Sequence, residues 1–163
     1  MHEVPPSEMA DWVESVVEAE SPVHLAEIAS RVAGHCGVHR VGHRIQAAVD
    51  RGATYAARQG RILQRGDFLW APRMESPPVR DRSGMPNSTR KIERVAPEEI
   101  AEALILVVER GIGVTPPDAV VNAARMLGYA RVTENIKGPI ETVIQGLLSG
   151  GRLREANGYL VLP

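Results

Sequence analysis

The sequence predicts a mainly α-helical chain with small β-hairpins, an α+β class, built as two copies of one small unit. Three observations carry this. The two halves match one another, each half has three apolar stripes at helical spacing followed by two short extended runs, and a proline- and serine-containing stretch lies between them. At 163 residues the chain suffices for one medium domain or two small ones, and the repeat decides for two. Aromatic residues are only 4% of the sequence, which suits helices packed through small side chains and disfavours an aromatic-rich β-sandwich.

Sliding the chain on itself by about 91 positions aligns it without a gap. Val4 and Pro6 fall on Val95 and Pro97, Val16-Val17-Glu18 on Val107-Val108-Glu109, and Val23 on Val114. Gly37 meets Gly128, Arg40-Val41 meets Arg131-Val132, Ile45 meets Ile136, Gly60-Arg61 meets Gly151-Arg152, and Phe68-Leu69 meets Tyr159-Leu160. These are prospective core positions and glycine punctuation, where backbone geometry is demanding. The division is therefore a first unit over residues 1–72, a flexible solvated linker over 73–94 (Pro77-Pro78, Ser83-Gly84, Pro86, Asn87-Ser88) whose end, Arg90-Lys91-Ile92-Glu93-Arg94, can already lie against the second unit, and a second unit over 95–163.

In the first unit, Met9, Trp12, Val13, Val16 and Val17 form one apolar stripe and predict a helix over 7–19, which Glu20-Ser21-Pro22 stops. Val23 can extend briefly. Leu25, Ile28, Ala29, Val32 and Ala33 form the second stripe, ending at Gly34. Val41, Ile45, Val49 and Ala56 continue at helical spacing to Gly60, with Gly52 a weak point in the pattern. Extended runs at 61–64 and 68–71 flank Arg65-Gly66-Asp67, a hairpin.

The second unit repeats the order. Its stripes are Ile100, Ala103, Leu104, Val107, Val108; then Val120, Ala123, Ala124, Leu127; then Ile136, Ile140, Val143, Leu147. Thr115 caps the middle helix with Pro116 at its first position, and a hairpin turns through Ala156-Asn157-Gly158. Three helices followed by a two-stranded ribbon, with a short segment after the first helix able to join as a third strand, is the winged helix-turn-helix arrangement. Its third helix can enter a major groove while the hairpin reaches backbone.

The run from Glu18 to Pro72, especially Arg40-Val41-Gly42-His43-Arg44-Ile45 and Arg65 to Pro72, resembles the domain of unknown function 3320. Met126-Leu127-Gly128-Tyr129 with Arg131-Val132 resembles the region that follows that domain. The family is found near the C-terminus of large bacterial superfamily I DNA helicases that carry a restriction-endonuclease-like domain. The resemblance implies a helicase or nuclease setting and carries no catalytic motif. The chain also has no G-x-x-x-x-G-K-[ST] loop, so ATP hydrolysis is not expected of it.

A formal net charge of −1 excludes a polycationic nucleic-acid coat, so attraction to phosphate must come from uneven placement of arginines. They concentrate at the third helix and hairpin of the first unit: His39, Arg40, His43, Arg44, Arg51, Arg58, Arg61 and Arg65, while acids cluster in the first two helices. That segment is the expected DNA face, with residues 39–44 in or beside the groove and Arg61 and Arg65 on backbone. The third helix of the second unit mixes Glu134, Asn135, Lys137 and Glu141 and makes a weaker case.

The second unit instead has added apolar residues: Ile105 and Leu106 stand where the first has Glu14 and Ser15, and Val121 where it has Ser30. These suggest either a slightly larger private core or a surface for a protein partner, such as a helicase or nuclease domain or a second copy of the chain.

Other constellations read as structural. His35, Cys36, His39 and His43 match no zinc spacing, and the second unit replaces them with Met126, Leu127, Ala130 and Glu134. Cys36 reads as a small core residue, Glu98-Glu99 as acids favouring a helix start, and Phe68 and Trp70 as core rather than a base-stacking platform. No catalytic residue, metal or cofactor is expected. A single cysteine, no apolar run of bilayer length, and an acidic, proline-containing Met1 to Met9 unlike a signal peptide point to the cytoplasm.

Overall fold

A computed structural model describes residues 4–163, so the first three residues of the Met1 to Met9 stretch lie outside the described residues. The chain is mixed α/β and mostly helical, and it divides into two compact units, Met1–Glu75 and Ser76–Pro163.

In the first unit the apolar stripes become α1 (Pro6–Glu20), α2 (Leu25–His35) and α3 (His43–Arg58), followed by β2 (Leu63–Arg65) and β3 (Phe68–Trp70). Pro6 opens α1, where its missing N–H costs no hydrogen bond. Val23–His24 forms β1, which pairs antiparallel with β3 to give the order β1-β3-β2. The His24 imidazole Nδ1 accepts from the Ala26 amide at 3.0 Å and so caps α2.

Buried Ser21 ties the end of α1 to the end of the hairpin, its hydroxyl accepting from the Ala71 amide at 2.8 Å. Val13, Val17, Ile28, Val49, Ala53, Ile62 and Leu69 form the core between the three helices and the sheet. Trp70 is also buried.

Helix ends follow from glycine placement. α2 closes with Gly37 at φ 68° and α3 with Gly60 at φ 70°, and in each case the next residue's amide reaches back five positions: Val38 to Ala33 at 2.9 Å and Arg61 to Ala56 at 3.0 Å. This closure satisfies carbonyls that a helix end otherwise leaves unpaired.

The second unit repeats the elements at a constant offset. α4 is Pro97–Arg110, α5 Pro116–Met126, α6 Glu134–Ser149, β4 Arg154–Ala156 and β5 Tyr159–Val161. Gly128 and Gly151 close α5 and α6 as Gly37 and Gly60 close their counterparts. The hairpin register is conserved too: Arg154 faces Val161 where Leu63 faces Trp70, and Val114 bridges Leu160 where Val23 pairs with Leu69. Thr115 caps α5, its hydroxyl oxygen accepting from the Asp118 amide at 3.3 Å.

The stretch expected to be a flexible, solvated linker over 73–94 is different in the structure. Residues 76–94 belong to the second unit and strap across it. Val79 packs against the core, Ile92 is buried within it at the start of a short 3-10 turn (Ile92–Arg94), and the Arg82 amide donates to the Leu127 carbonyl at 3.1 Å. The anchor is Glu99, which the sequence presents as one of two helix-start acids and which has no exposed surface.

The Glu99 carboxylate accepts from both Arg82 Nη atoms at 2.8 and 2.7 Å, from Arg80 Nη2 at 3.0 Å and from the Arg80 amide at 2.9 Å. Burial pushes its pKa up, but the hydrogen bonds and charges of Arg82 and Arg80 outweigh burial and hold it below the ordinary carboxylate range. A composition with Pro77-Pro78, Ser83-Gly84 and Pro86 predicts little burial, and the stretch is held by Ile92 and Val79 in the core together with the two arginines on Glu99.

Among the described residues no helix is long and apolar enough to cross a membrane.

Candidate nucleic-acid interface

α3 of the first unit buries Val49, Gly52, Ala53 and Ala56 and turns its other side to solvent. Arg44, Arg51 and Arg58 are all exposed and recur every seven residues, so they form one stripe two helical turns apart. Successive members are separated by roughly 10 Å along the axis, about a Debye length at physiological salt, so their mutual repulsion is screened while their fields add over the face. Among the described residues none of the three makes an ion pair. The acid beside them, Asp50, accepts a hydrogen bond from the Gln46 side chain at 2.9 Å.

His39 and Arg40 lie exposed in the bend before α3, and His43 and Arg44 occupy its first turn. The helix start presents amides and the positive end of the dipole, which favours an anion there. Six of the eight expected residues therefore stand in one stretch, from the bend through the exposed side of α3.

The two hairpin arginines behave differently from one another and, for Arg61, from expectation. Arg61 does not reach outward. It lies between Asp11 and Glu14 of α1, donating from Nε to Glu14 Oε2 at 2.8 Å and from Nη2 to Asp11 Oδ1 at 2.6 Å. These hydrogen bonds, Glu14 first and then Asp11, raise its pKa further above the ordinary arginine value. Its guanidinium is thus held by two carboxylates of α1.

Arg65, at the end of β2, is exposed, with its guanidinium 4.4 Å over the Trp70 ring. The ring holds only the flat face, and the N–H groups in the guanidinium plane stay available to phosphate.

Tyr55 is also exposed on α3 and, with Pro6, Asp50, Arg51, Thr54 and Arg58, lines a shallow depression of about 390 Å³. Its spacing of four from Arg51 and three from Arg58 puts it beside both on the helix surface.

The second unit offers fewer cations on the equivalent surface. Lys137 pairs with Glu141 at 3.7 Å and Arg152 with Glu102 at 2.9 Å, leaving Arg131 and Arg154 exposed. Of its added apolar residues, Ile105 packs against the unit's own core, while Leu106 and Val121 are half-buried. The fully exposed apolar side chain is Ile112, between Gly111 and Gly113.

His35 stacks edge-on against Trp12 with ring centroids 5.9 Å apart. Among the described residues no three histidine, cysteine or acidic side chains gather in a metal-holding group.

The family model described as a protein of unknown function (DUF3320) matches residues 1–47, spanning α1, β1, α2 and the beginning of α3. The match takes in the Arg40 to Ile45 run on which the resemblance was read and stops short of the hairpin. No curated protein and no solved structure matches the chain.

Proposed function

We propose that the chain is a tandem winged helix-turn-helix module. In this reading it binds duplex DNA with little sequence specificity through its first unit and works as a non-catalytic accessory attached to, or beside, a helicase or nuclease in the cytoplasm. The observation that carries the reading is the stripe of Arg44, Arg51 and Arg58 on the exposed side of α3, unopposed by ion pairs and continued by His39 and Arg40 at one end. The three-helix order with a short β-ribbon supports the fold half of the proposal, in which Arg65, exposed on the ribbon, would serve as a wing residue.

Arginines touching phosphate displace counterions, so affinity must fall as salt rises, with a logarithmic slope of about 0.9 per contact. Fluorescence anisotropy with a short mixed-sequence duplex is expected to show such a slope. Replacing Arg44 and Arg51 together by alanine should flatten it by roughly two contacts. Salt-independent binding, or a slope unmoved by the double substitution, overturns the reading.

A second reading, docking of a protein partner or a second copy through the second unit, draws on Ile112, an apolar side chain with no cover. Light scattering on the chain and on Ile112→Asp tests it. A monomer with no partner, unchanged by the substitution, retires it.

A further inference from the structure

One side of α3 carries an aromatic ring that the fold does not require. Asp50, Arg51, Thr54, Tyr55 and Arg58 are all exposed, and spacings of three and four residues gather them on one surface of the helix. Tyr55 stands among them, one turn from Arg51 in one direction and one turn from Arg58 in the other. Among the described residues its ring stacks on no other ring and its hydroxyl has no hydrogen-bond partner.

The duplicate provides an internal control. At a shift of 91 positions Tyr55 falls on Gly146, Arg51 on Thr142 and Arg58 on Ser149. Gly146 lies within α6, the counterpart of α3, and a Cβ placed there would meet nothing within 4 Å. The same helix in the same order of elements therefore forms without any side chain at this place. A single exposed apolar residue is common on protein surfaces and by itself carries no meaning. Here the ring is flanked on both sides by guanidinium groups that make no ion pair among the described residues, and the duplicate lacks ring and cations together.

These neighbours define the ligand. Arg51 and Arg58 offer planar donor groups to phosphate on either side of the ring. An aromatic side chain beside a cationic track is the arrangement on which nucleobases stack, because every base has a π face and its phosphates run alongside. Asp50 Oδ1 accepts from Gln46 Nε2 at 2.9 Å, which leaves Oδ2 to accept from an N–H at a base edge. The same negative charge turns phosphate away from the middle of the face and toward the two arginines. Inside a duplex each base face is covered by its neighbours in the stack. Tyr55 can be used in this way only by a base that lies outside the paired region.

We propose that Tyr55, Arg51, Arg58 and Asp50 form a site for an unpaired nucleotide adjoining duplex DNA, so that the first unit binds a duplex with a single-stranded overhang in preference to a blunt one. The proposal rests on the reading of α3 as a DNA-binding helix and names the form of DNA that the helix takes.

Fluorescence anisotropy on the full chain tests it with a blunt duplex and with the same duplex carrying a 3′ or a 5′ overhang. At least one overhang probe is expected to bind about tenfold more tightly than the blunt probe, the scale of one base stacked on an aromatic ring. Tyr55→Ala should abolish that preference and leave blunt-duplex affinity as it was. Tyr55→Phe should keep it, because the ring and not the hydroxyl makes the contact. A second readout follows stacking directly. With 2-aminopurine as the first unpaired base, fluorescence is expected to fall on binding wild type or Tyr55→Phe and to persist on binding Tyr55→Ala.

The proposal is overturned if blunt and overhang probes bind alike, or if Tyr55→Ala leaves both the preference and the quenching intact. It is also overturned if Tyr55→Phe loses the preference as fully as Tyr55→Ala, because the hydroxyl then contacts phosphate. Salt-sensitive binding of the blunt duplex without an overhang preference removes this proposal alone, whereas failure of every probe to bind removes the DNA reading with it.

Discussion

Glu99 holds the second unit's strap through a carboxylate that has no water to solvate it and must be served by its partners. Removing one side of a buried ion pair typically costs about 3–5 kcal/mol, because the remaining charge stays desolvated. Glu99→Gln is therefore expected to lower the second unit's unfolding temperature by several degrees in calorimetry, whereas Glu8→Gln at the exposed counterpart should change it little. The sign with pH follows from the lowered pKa: the contribution is complete above the ordinary carboxylate range and is lost as pH falls through the folded value. An acid titration of wild type should show the second unit losing stability below about pH 4, a loss that is smaller in Glu99→Gln, where Asp81, its pKa lowered by the Ser83 amide, still contributes. At the other centre, Arg61→Ala should leave duplex affinity unaltered because Asp11 and Glu14 already hold that guanidinium, while Arg51→Ala weakens it in the same anisotropy assay.

Gly52 explains how closely α1 and α3 approach. A Cβ there would stand about 2.5 Å from Met9 Cγ and 3.0 Å from the Met9 backbone carbonyl carbon, inside van der Waals contact. By helix propensity alone Gly52→Ala should stabilise α3 by roughly 1 kcal/mol. Overpacking costs about 1–3 kcal/mol, so denaturant unfolding is expected to show a net loss. The hairpins show the same dependence of element on residue. Gly66 at φ 59° opens the first turn and Asn157-Gly158, both at positive φ, forms the second, each giving the backbone twist a two-residue connection needs.

Across the whole molecule, duplication supplies two bodies with the same order of elements and different surfaces. One keeps its cations exposed on α3. The other has fewer cations on the equivalent surface, two of them paired, and packs residues 76–94 over its own core. Function has to be sought in that difference, because the shared core serves both units alike.

The helices, their glycine closures, the hairpin turns and the repeat could all be read from local pattern, since periodicity and positive-φ glycines act within a few residues of themselves. The arginines of α3 were readable for the same reason: a spacing of seven places them on one face whatever surrounds the helix. Tertiary packing decided the rest. Whether Arg61 faces solvent or α1, whether residues 76–94 trail or clamp, and whether Glu99 is solvated or buried depend on groups far away in the chain. Burial and ion pairing are set by which surfaces meet, and no local window of residues contains that information.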